Sequence, residues 1–429
     1  ARTKSGIIKS GSPVVLYPNT AEVTDVVSGI CRERGCELHI VDFGRIQSAA
    51  ADLTGQTIRW DGRKYRLRLT GEYQMRNAAT ALTALEILQR KGWKISDEDI
   101  SKGLESAEWP ARFELLGTDP VFILDGGHNS QCAEAVAESL DKYLPDTKIT
   151  LVIGMLRDKD YEAALDILLP YAEKCYCLTP DSSRAIYAED LAAVIREKGG
   201  TAECFNTAEE ALTKCFYESR PVLAFGSLYL AGEIRKAYRK LAKKKIRAAG
   251  ITAREDLRSE DRKKYSEEIC SKITGMEEYA KAGIIFLYKW TGGEVRLDEL
   301  ERKAQEDGKH IAYPLCTGKA EMIAVEPDEG DEAWNDCGYC GLLEPVLEKG
   351  RVINPSEIDL VIAPCTAFDE NCNRVGMGGG FYDGYLPECT NAAVFAAAFE
   401  LQKSKRIPAD ESDQPVDVVI TEKATYNKL

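Results

Sequence analysis

Apolar runs and helical stripes alternate along most of the chain. Between about residues 112 and 240 four strand-like runs stand out: Val121–Asp125, Ile149–Ile153, Cys175–Leu178 and Val222–Phe225. Segments with apolar residues at three- and four-residue spacing fill the gaps, at Gln131–Tyr143, Tyr161–Lys174, Ala188–Lys198 and Thr207–Tyr217. Apolar strands separated by amphipathic helices predict a mostly parallel sheet covered on both faces. A basic helix from Gly232 to about Ala249 comes next. A second series of strand-like runs follows at Gly283–Tyr288, Lys309–Tyr313, Glu321–Val325, Asp359–Ala363, Ala393–Ala398 and Val416–Thr421. This series also predicts α/β. The join runs through Arg235–Arg247 without a Gly/Ser or Pro linker, so a continuous helix is expected to connect the two parts and make their arrangement semi-rigid. The first 108 residues are less regular. Ile58–Leu69 predicts strand, turn and strand about Asp61-Gly62, and Asn77–Lys91 predicts a helix.

Length and composition narrow this picture. The 429 residues exceed one ordinary core and suggest two or three domains. A net charge of −14 argues against a general nucleic-acid surface. No apolar run reaches the roughly 18 residues of a spanning helix, and the start carries no secretory pattern, so no membrane partner is expected. The 14 cysteines are scattered, and several sit inside apolar stretches (Cys31, Cys175, Cys177, Cys215, Cys365). Reduced, buried thiols in a cytoplasmic protein are the simplest expectation. Cys337 and Cys340 form one C-x-x-C, but no second pair follows at zinc spacing.

Candidate chemistry concentrates near the end of the chain. Residues 376–383 read Gly-Met-Gly-Gly-Gly-Phe-Tyr-Asp, with Arg374 two positions ahead. Consecutive glycines let a backbone approach a ligand closely and aim several N–H groups at it. An arginine at the start of such a loop suits a phosphate, and an aspartate at its end suits magnesium. A lone glycine loop is more often a tight turn, so its neighbours decide. They include Lys243-Lys-Lys-Ile-Arg247, Tyr288-Lys-Trp-Thr-Gly-Gly-Glu294, Gly341-Leu-Leu-Glu-Pro345, Phe368-Asp369, Glu400, Gln402 and Asp413-Gln-Pro-Val-Asp417. A solvated face remains an alternative for the lysine run, as turn roles do for Asp413 and Asp417 and a core role for Tyr382.

Together these segments resemble the 5-formyltetrahydrofolate cyclo-ligase (methenyltetrahydrofolate synthetase) family from about residue 243 onward. The resemblance rests on K-x-x-x-R, the Y-x(5)-E strand end, G-x-x-E-P, R-x-G-x-G-G-G-[FY]-Y-D and D-x-P-x-D-x-x-[IV]-T-E. It implies conversion of 5-formyltetrahydrofolate, free or polyglutamylated, to 5,10-methenyltetrahydrofolate, with ATP and Mg2+. Carried over by position, Lys243, Arg247, Arg374 and the backbone of Gly376, Gly378, Gly379 and Gly380 would hold the ATP phosphates. Asp383 and Asp413 would serve magnesium, Glu294 would pair with the pterin ring, and Tyr382 would line the folate site. Glu294, Tyr382 and Asp383 are the expected catalytic set.

Residues 1–240 resemble the later part of folylpolyglutamate synthase and dihydrofolate synthase, of the Mur ligase family. Lys4-Ser-Gly-Ile-Ile-Lys9, Gly71-Glu-Tyr-Gln-Met-Arg-Asn77, Trp109-Pro-Ala-Arg-Phe-Glu114, Asp125-Gly-Gly-His-Asn129 and Gly226-Ser-Leu-Tyr-Leu-Ala-Gly232 carry it. By that resemblance Arg112, Asp125 and His128 would meet ATP, and Lys4 would be the carbamylated lysine near magnesium. The family's G-x-x-G-K-[ST] phosphate loop is absent from the sequence and is expected upstream of residue 1 or in a second chain. The expected fold is thus two α/β modules, a Mur-ligase-like Rossmann-like domain (109–242) and a cyclo-ligase domain (243–429), preceded by an incomplete ATPase-domain fragment (1–108). Expected functions are the cyclo-ligase, with a bifunctional folylpolyglutamate synthase/cyclo-ligase or a non-catalytic folate-binding scaffold as alternatives.

Overall fold

The structure is a computed structural model that describes residues 2–428, apart from the side chain of Cys340. The chain divides into two compact units, one ending at Tyr238 and one beginning at Arg239. Both are mixed α/β, as the alternating pattern predicts.

The first unit is built around a six-stranded sheet in the order 202–204, 172–177, 149–154, 222–226, 121–125, 114–118. All pairings are parallel except at the last edge, where Glu114–Thr118 runs antiparallel to Val121–Asp125. The central strand Ile149–Gly154 is buried at every position, as a parallel strand covered on both faces requires. Leu151, Ile153, Leu165, Leu191 and Phe225 anchor the core on one face. Each such side chain stabilises the fold by about 1.5–3 kcal/mol through burial. The helix Ser130–Tyr143 starts at an Asn129 cap whose side chain accepts from the Cys132 N–H. Tyr161–Lys174 departs from the predicted helix. The helix ends at Leu168, a 3-10 turn with Pro170 follows, and Lys174 lies on the strand Ala172–Cys177. Pro170 lacks the N–H that a continuing helix needs. Among the first 108 residues a three-stranded antiparallel sheet (46–52, 55–60, 63–67) turns at Asp61 and Gly62, φ 46° and 83°. Two positive φ values in a two-residue turn match the twist of a hairpin.

The helix Leu228–Glu255 contributes its first residues to the first unit and the rest to the second. It is longer at both ends than the basic run alone predicts.

The second unit holds an eight-stranded sheet in the order 350–353, 321–327, 310–318, 284–286, 360–364, 393–397, 418–420, 425–427. The strands from 310–318 to 418–420 are parallel, and those flanking them are antiparallel. Past the C-terminal end of Leu360–Pro364 the chain forms a small hairpin, Ala367–Phe368 against Arg374–Val375, before the glycine loop. The segment holding Glu294 follows the C-terminal end of Ile284–Phe286. Crevices outside the carboxyl ends of parallel strands are where α/β folds bind ligands. Among the described residues, no helix is long and apolar enough to cross a membrane, and the cysteines are free thiols.

Candidate functional site

In the second unit, the helix that begins at Leu228 carries Lys243, Arg247, Gly250 and Arg254 at helical spacing. At 3.6 residues per turn these positions share one face. The face approaches the end of strand Leu360–Pro364 so closely that a Cβ at Gly250 would stand 2.2 Å from the Thr366 carbonyl oxygen. No other residue type fits there without displacing backbone.

Each cation on this face reaches a loop. Lys243 Nζ donates to Asp413 Oδ1 and Oδ2 at 2.6 and 2.5 Å. Arg247 Nε donates to the Gly376 carbonyl oxygen at 2.7 Å, which fixes the start of the glycine loop. Arg254 is buried, with its Nη1 3.6 Å from Glu294 Oε1 and its Nη2 3.9 Å from Met377 Sδ. Within the loop, Gly378 and Gly380 have φ of 101° and 77°, and Met377–Gly380 are exposed. Arg374 is buried, and its Nη2 donates to Asp383 Oδ1 at 3.0 Å. The same oxygen accepts from the Gln414 N–H at 3.2 Å. Asp383 and the Asp413-Gln414 turn therefore meet.

Glu294 is the buried carboxylate of the site. Its Oε2 accepts from the Thr291 N–H at 3.0 Å. Burial pushes its pKa above the usual carboxylate value, opposed by that N–H and by Arg254. Tyr382 packs near Phe286 and Arg374, and burial drives its phenol pKa up strongly. Its hydroxyl, Arg374 Nε, and Arg254 Nε and Nη1 are buried without hydrogen-bond partners. Buried donors without partners are costly, and of these the Arg374 guanidinium carbon lies 5.7 Å from the centre of the Tyr382 ring and Arg254 Nη1 lies 3.6 Å from Glu294.

Other residues singled out in the sequence prove to be braces. Glu344 accepts from the Cys316 and Tyr339 N–H groups at 3.1 and 3.0 Å. Asp369 accepts from the Asn371, Asn373 and Ile407 N–H groups. Asp417 accepts from the Val394 N–H at 2.8 Å. Gln402 donates to the carbonyls of Cys365 and Thr366, while Glu400 accepts from Thr421 and Tyr426. These bonds shape the loops around the site. Cys337 is exposed, and the other half of its C-x-x-C, the Cys340 side chain, lies outside the described residues. Among the described residues no group of three His, Cys, Asp or Glu side chains is placed to hold a metal alone.

The first unit has its own cluster. Asp125 is buried at the end of its strand, and its two oxygens accept from the Phe113 N–H at 2.8 Å and the Gly127 N–H at 2.6 Å. Burial raises its pKa against those two donors, Arg112 and His128. Ala111 and Phe113 adopt φ of 57° and 43° and flank the exposed Arg112. Non-glycine residues with positive φ are uncommon and strained, and here the Asp125 bond, the Thr70 hydroxyl on the Phe113 carbonyl and the Gly126 N–H on the Ala111 carbonyl hold them. His128 Nδ1 lies 3.3 Å from the Gly126 carbonyl oxygen. Lys4 is exposed on the short 3-10 helix Lys4–Ile7.

Residues 239–422 match the 5-formyltetrahydrofolate cyclo-ligase family, and residues 111–228 match the glutamate ligase domain of the Mur ligases. The chain carries these two likenesses in tandem. Its cyclo-ligase-like part is similar to the "Probable 5-formyltetrahydrofolate cyclo-ligase" of Schizosaccharomyces pombe, 28% identical over 170 residues, which are 36% of this chain and 83% of that protein. The chain is also similar to the dihydrofolate synthase/folylpolyglutamate synthase of Bacillus subtilis, 30% identical over 255 residues, 55% of this chain and 57% of that protein. The Mycobacterium tuberculosis folylpolyglutamate synthase complexed with ADP shares the fold at 23% identity and a TM-score of 0.50, covering 55% of this chain and 57% of that one. The chain thus spans little more than half the length of the Bacillus subtilis protein and about a fifth of a larger bifunctional folylpolyglutamate synthase/dihydropteroate synthase of Halobacterium salinarum. The cyclo-ligase-like unit contains the buried Glu294 site and the glycine loop, and the Mur-ligase-like unit contains the Asp125 cluster. Arg254 and Gly250 went unnoticed in the sequence. Their spacing from Lys243 and Arg247 was the available signal.

Proposed function

We propose that the cyclo-ligase-like unit converts 5-formyltetrahydrofolate to 5,10-methenyltetrahydrofolate with consumption of ATP and Mg2+. The observation that carries the reading is the buried, incompletely bonded Arg254, 3.6 Å from the buried Glu294 carboxylate and close to Met377 of the exposed glycine loop. ATP, when bound, supplies the phosphoryl group that turns the formyl oxygen into a leaving group.

The residues present suit both partners of that reaction. Lys243, Arg247 and Arg374 supply positive charge, and the glycine loop offers backbone N–H groups without side chains in the way. Phosphoryl transfer demands positioning and charge neutralisation more than a strong nucleophile. Magnesium keeps several waters and takes one or two carboxylates plus substrate phosphates, which is the complement that Asp383 and Asp413 provide. Each is held by a cation, Asp383 by Arg374 and Asp413 by Lys243. Glu294 accepts N–H donors of a pterin edge, and Tyr382 closes the folate side. Arg374 then neutralises charge on the transferred group and orients Asp383.

Purified protein comprising residues 1–429, given 5-formyltetrahydrofolate, ATP and magnesium, is expected to develop the absorbance of the methenyl product. Folded protein that yields none refutes the reading. A second reading, glutamate ligation at the Mur-ligase-like unit, draws on the pinned Arg112 loop and Asp125. It is tested by glutamate addition to a reduced folate by the same preparation, alone and with a segment carrying a phosphate loop.

A further inference from the structure

Arg254 stands out among the groups that the resemblance leaves unassigned. It is a fully charged side chain, 5% exposed, lodged on the helix face that also presents Lys243 and Arg247. Its backbone carbonyl accepts from Arg262 Nη2 at 3.2 Å, which ties this end of the helix to the next one. Its contact with Glu294, 3.6 Å, is an ion pair longer than an ordinary hydrogen bond. Nε and Nη1 have no hydrogen-bond partner. Burying a guanidinium and leaving two of its nitrogens unsatisfied is expensive unless a ligand completes them. The same guanidinium is close to Met377 of the glycine loop. The donors therefore lie between the carboxylate and the loop.

Glu294 and Arg254 form an acceptor beside a donor. A 2-amino-4-oxopyrimidine ring shows the opposite edge: two N–H donors, at the exocyclic amine and the ring nitrogen, and a carbonyl oxygen beside them. We propose that Arg254 is a specificity-determining residue that donates to the 4-oxo group of the pteridine while Glu294 accepts from its neighbouring N–H groups. This deepens the cyclo-ligase reading and rests on it. An arginine has five donors and no acceptor, so a ring with an amino group at the 4-position would face it donor to donor. A site that hydrogen-bonds one substituent rejects the analogue lacking it because its own buried polar groups are left unpaired. Arg254 also keeps Glu294 paired inside the fold, which a neutral residue would not do.

The test compares binding of a 2-amino-4-oxopteridine and its 2,4-diamino counterpart to the full chain by calorimetry. The wild-type protein is expected to prefer the 4-oxo compound by at least about tenfold. In Arg254→Gln, whose amide can donate or accept, the preference is expected to fall by about tenfold. Arg254→Lys, which keeps charge beside Glu294, is expected to retain part of it. Equal binding of the two pteridines by the wild-type protein overturns the proposal without recourse to any variant. So does a preference that survives unchanged in folded Arg254→Gln. Wild-type protein that turns over 5-formyltetrahydrofolate but binds neither pteridine, or binds both with the wrong ratio, overturns this inference alone, whereas folded protein without that turnover overturns the cyclo-ligase reading on which it rests.

Discussion

Lys243 and Asp413, 170 residues apart in sequence, meet through two hydrogen bonds of 2.6 and 2.5 Å. The pair ties the helix face to the turn that touches Asp383. Lys243→Met is expected to raise the KM for ATP by about tenfold, equivalent to about 1.4 kcal/mol of phosphate binding. It should cost only about 1 kcal/mol of stability because the pair is partly solvated. A double-mutant cycle with Asp413→Asn, read by thermal unfolding and by ATP kinetics, separates the two contributions.

The glycine loop gives a contrast between neighbours. Gly378 has φ of 101°, and a Cβ there would also stand 3.3 Å from the Arg247 guanidinium carbon. Gly378→Ala is expected to cost about 1–3 kcal/mol in backbone strain and to weaken ATP binding. At Gly376 the nearest atom to a built Cβ is Arg374 Nη1, at an ordinary 3.6 Å. Gly376→Ala should therefore leave the melting temperature close to that of the wild-type protein. Equal melting temperatures for the two variants would refute the strain argument.

Glu294 makes the site pH-sensitive. Its folded pKa is raised above 4.5, chiefly by burial, with the Thr291 N–H and Arg254 opposing. The folded state therefore binds this proton at a higher pH than the unfolded state does. Its contribution to stability falls as pH rises from about 4.5 through the folded pKa, and is constant above it. Ligand binding runs the other way, because only the carboxylate accepts two N–H groups. Affinity for a pteridine is expected to drop on acidification at a higher pH than an exposed glutamate would set. Glu294→Gln should abolish that inflection, which titration calorimetry across pH would reveal.

Asp125 makes a different demand. Both its oxygens accept backbone N–H bonds, from Phe113 and Gly127. Asn offers one acceptor and one donor in their place. Asp125→Asn should thus leave one buried N–H unpaired and cost about 1–3 kcal/mol. Circular dichroism melting would show this loss, and a melting temperature unchanged from wild type would contradict it.

Much of the fold was legible because burial on both faces leaves unbroken apolar runs. Val121–Asp125 was found with its observed bounds, and Ile149–Gly154 and Val222–Gly226 within a residue. Short edge strands were not legible. Ala202–Cys204 and Thr425–Asn427 have no fully buried residue, so no apolar run announces them. Lys174 was read as helical because the tyrosine and leucine spacing before it continues the stripe, and only Pro170 betrays the break. In the site, glycines and terminal carboxylates were visible as local patterns. Arg254 shares the helical phase of Lys243 and Arg247, but its pairing with Glu294 was not legible, because that partner lies 40 residues away and is joined to it only by folding. Glu344 and Asp369 looked equally chemical in sequence, yet their acceptors are spent on backbone N–H groups.

Lys243, Arg247, Gly250 and Arg254 are all mounted on the single helix Leu228–Glu255. Successive helix positions differ by about 100° in azimuth, so one inserted residue between Arg247 and Arg254 would swing Gly250 or Arg254 out of line with the cations before it. Charge placement on this face is a matter of phase as well as of residue type. A change in residue count within this segment would disturb the face even with every side chain kept.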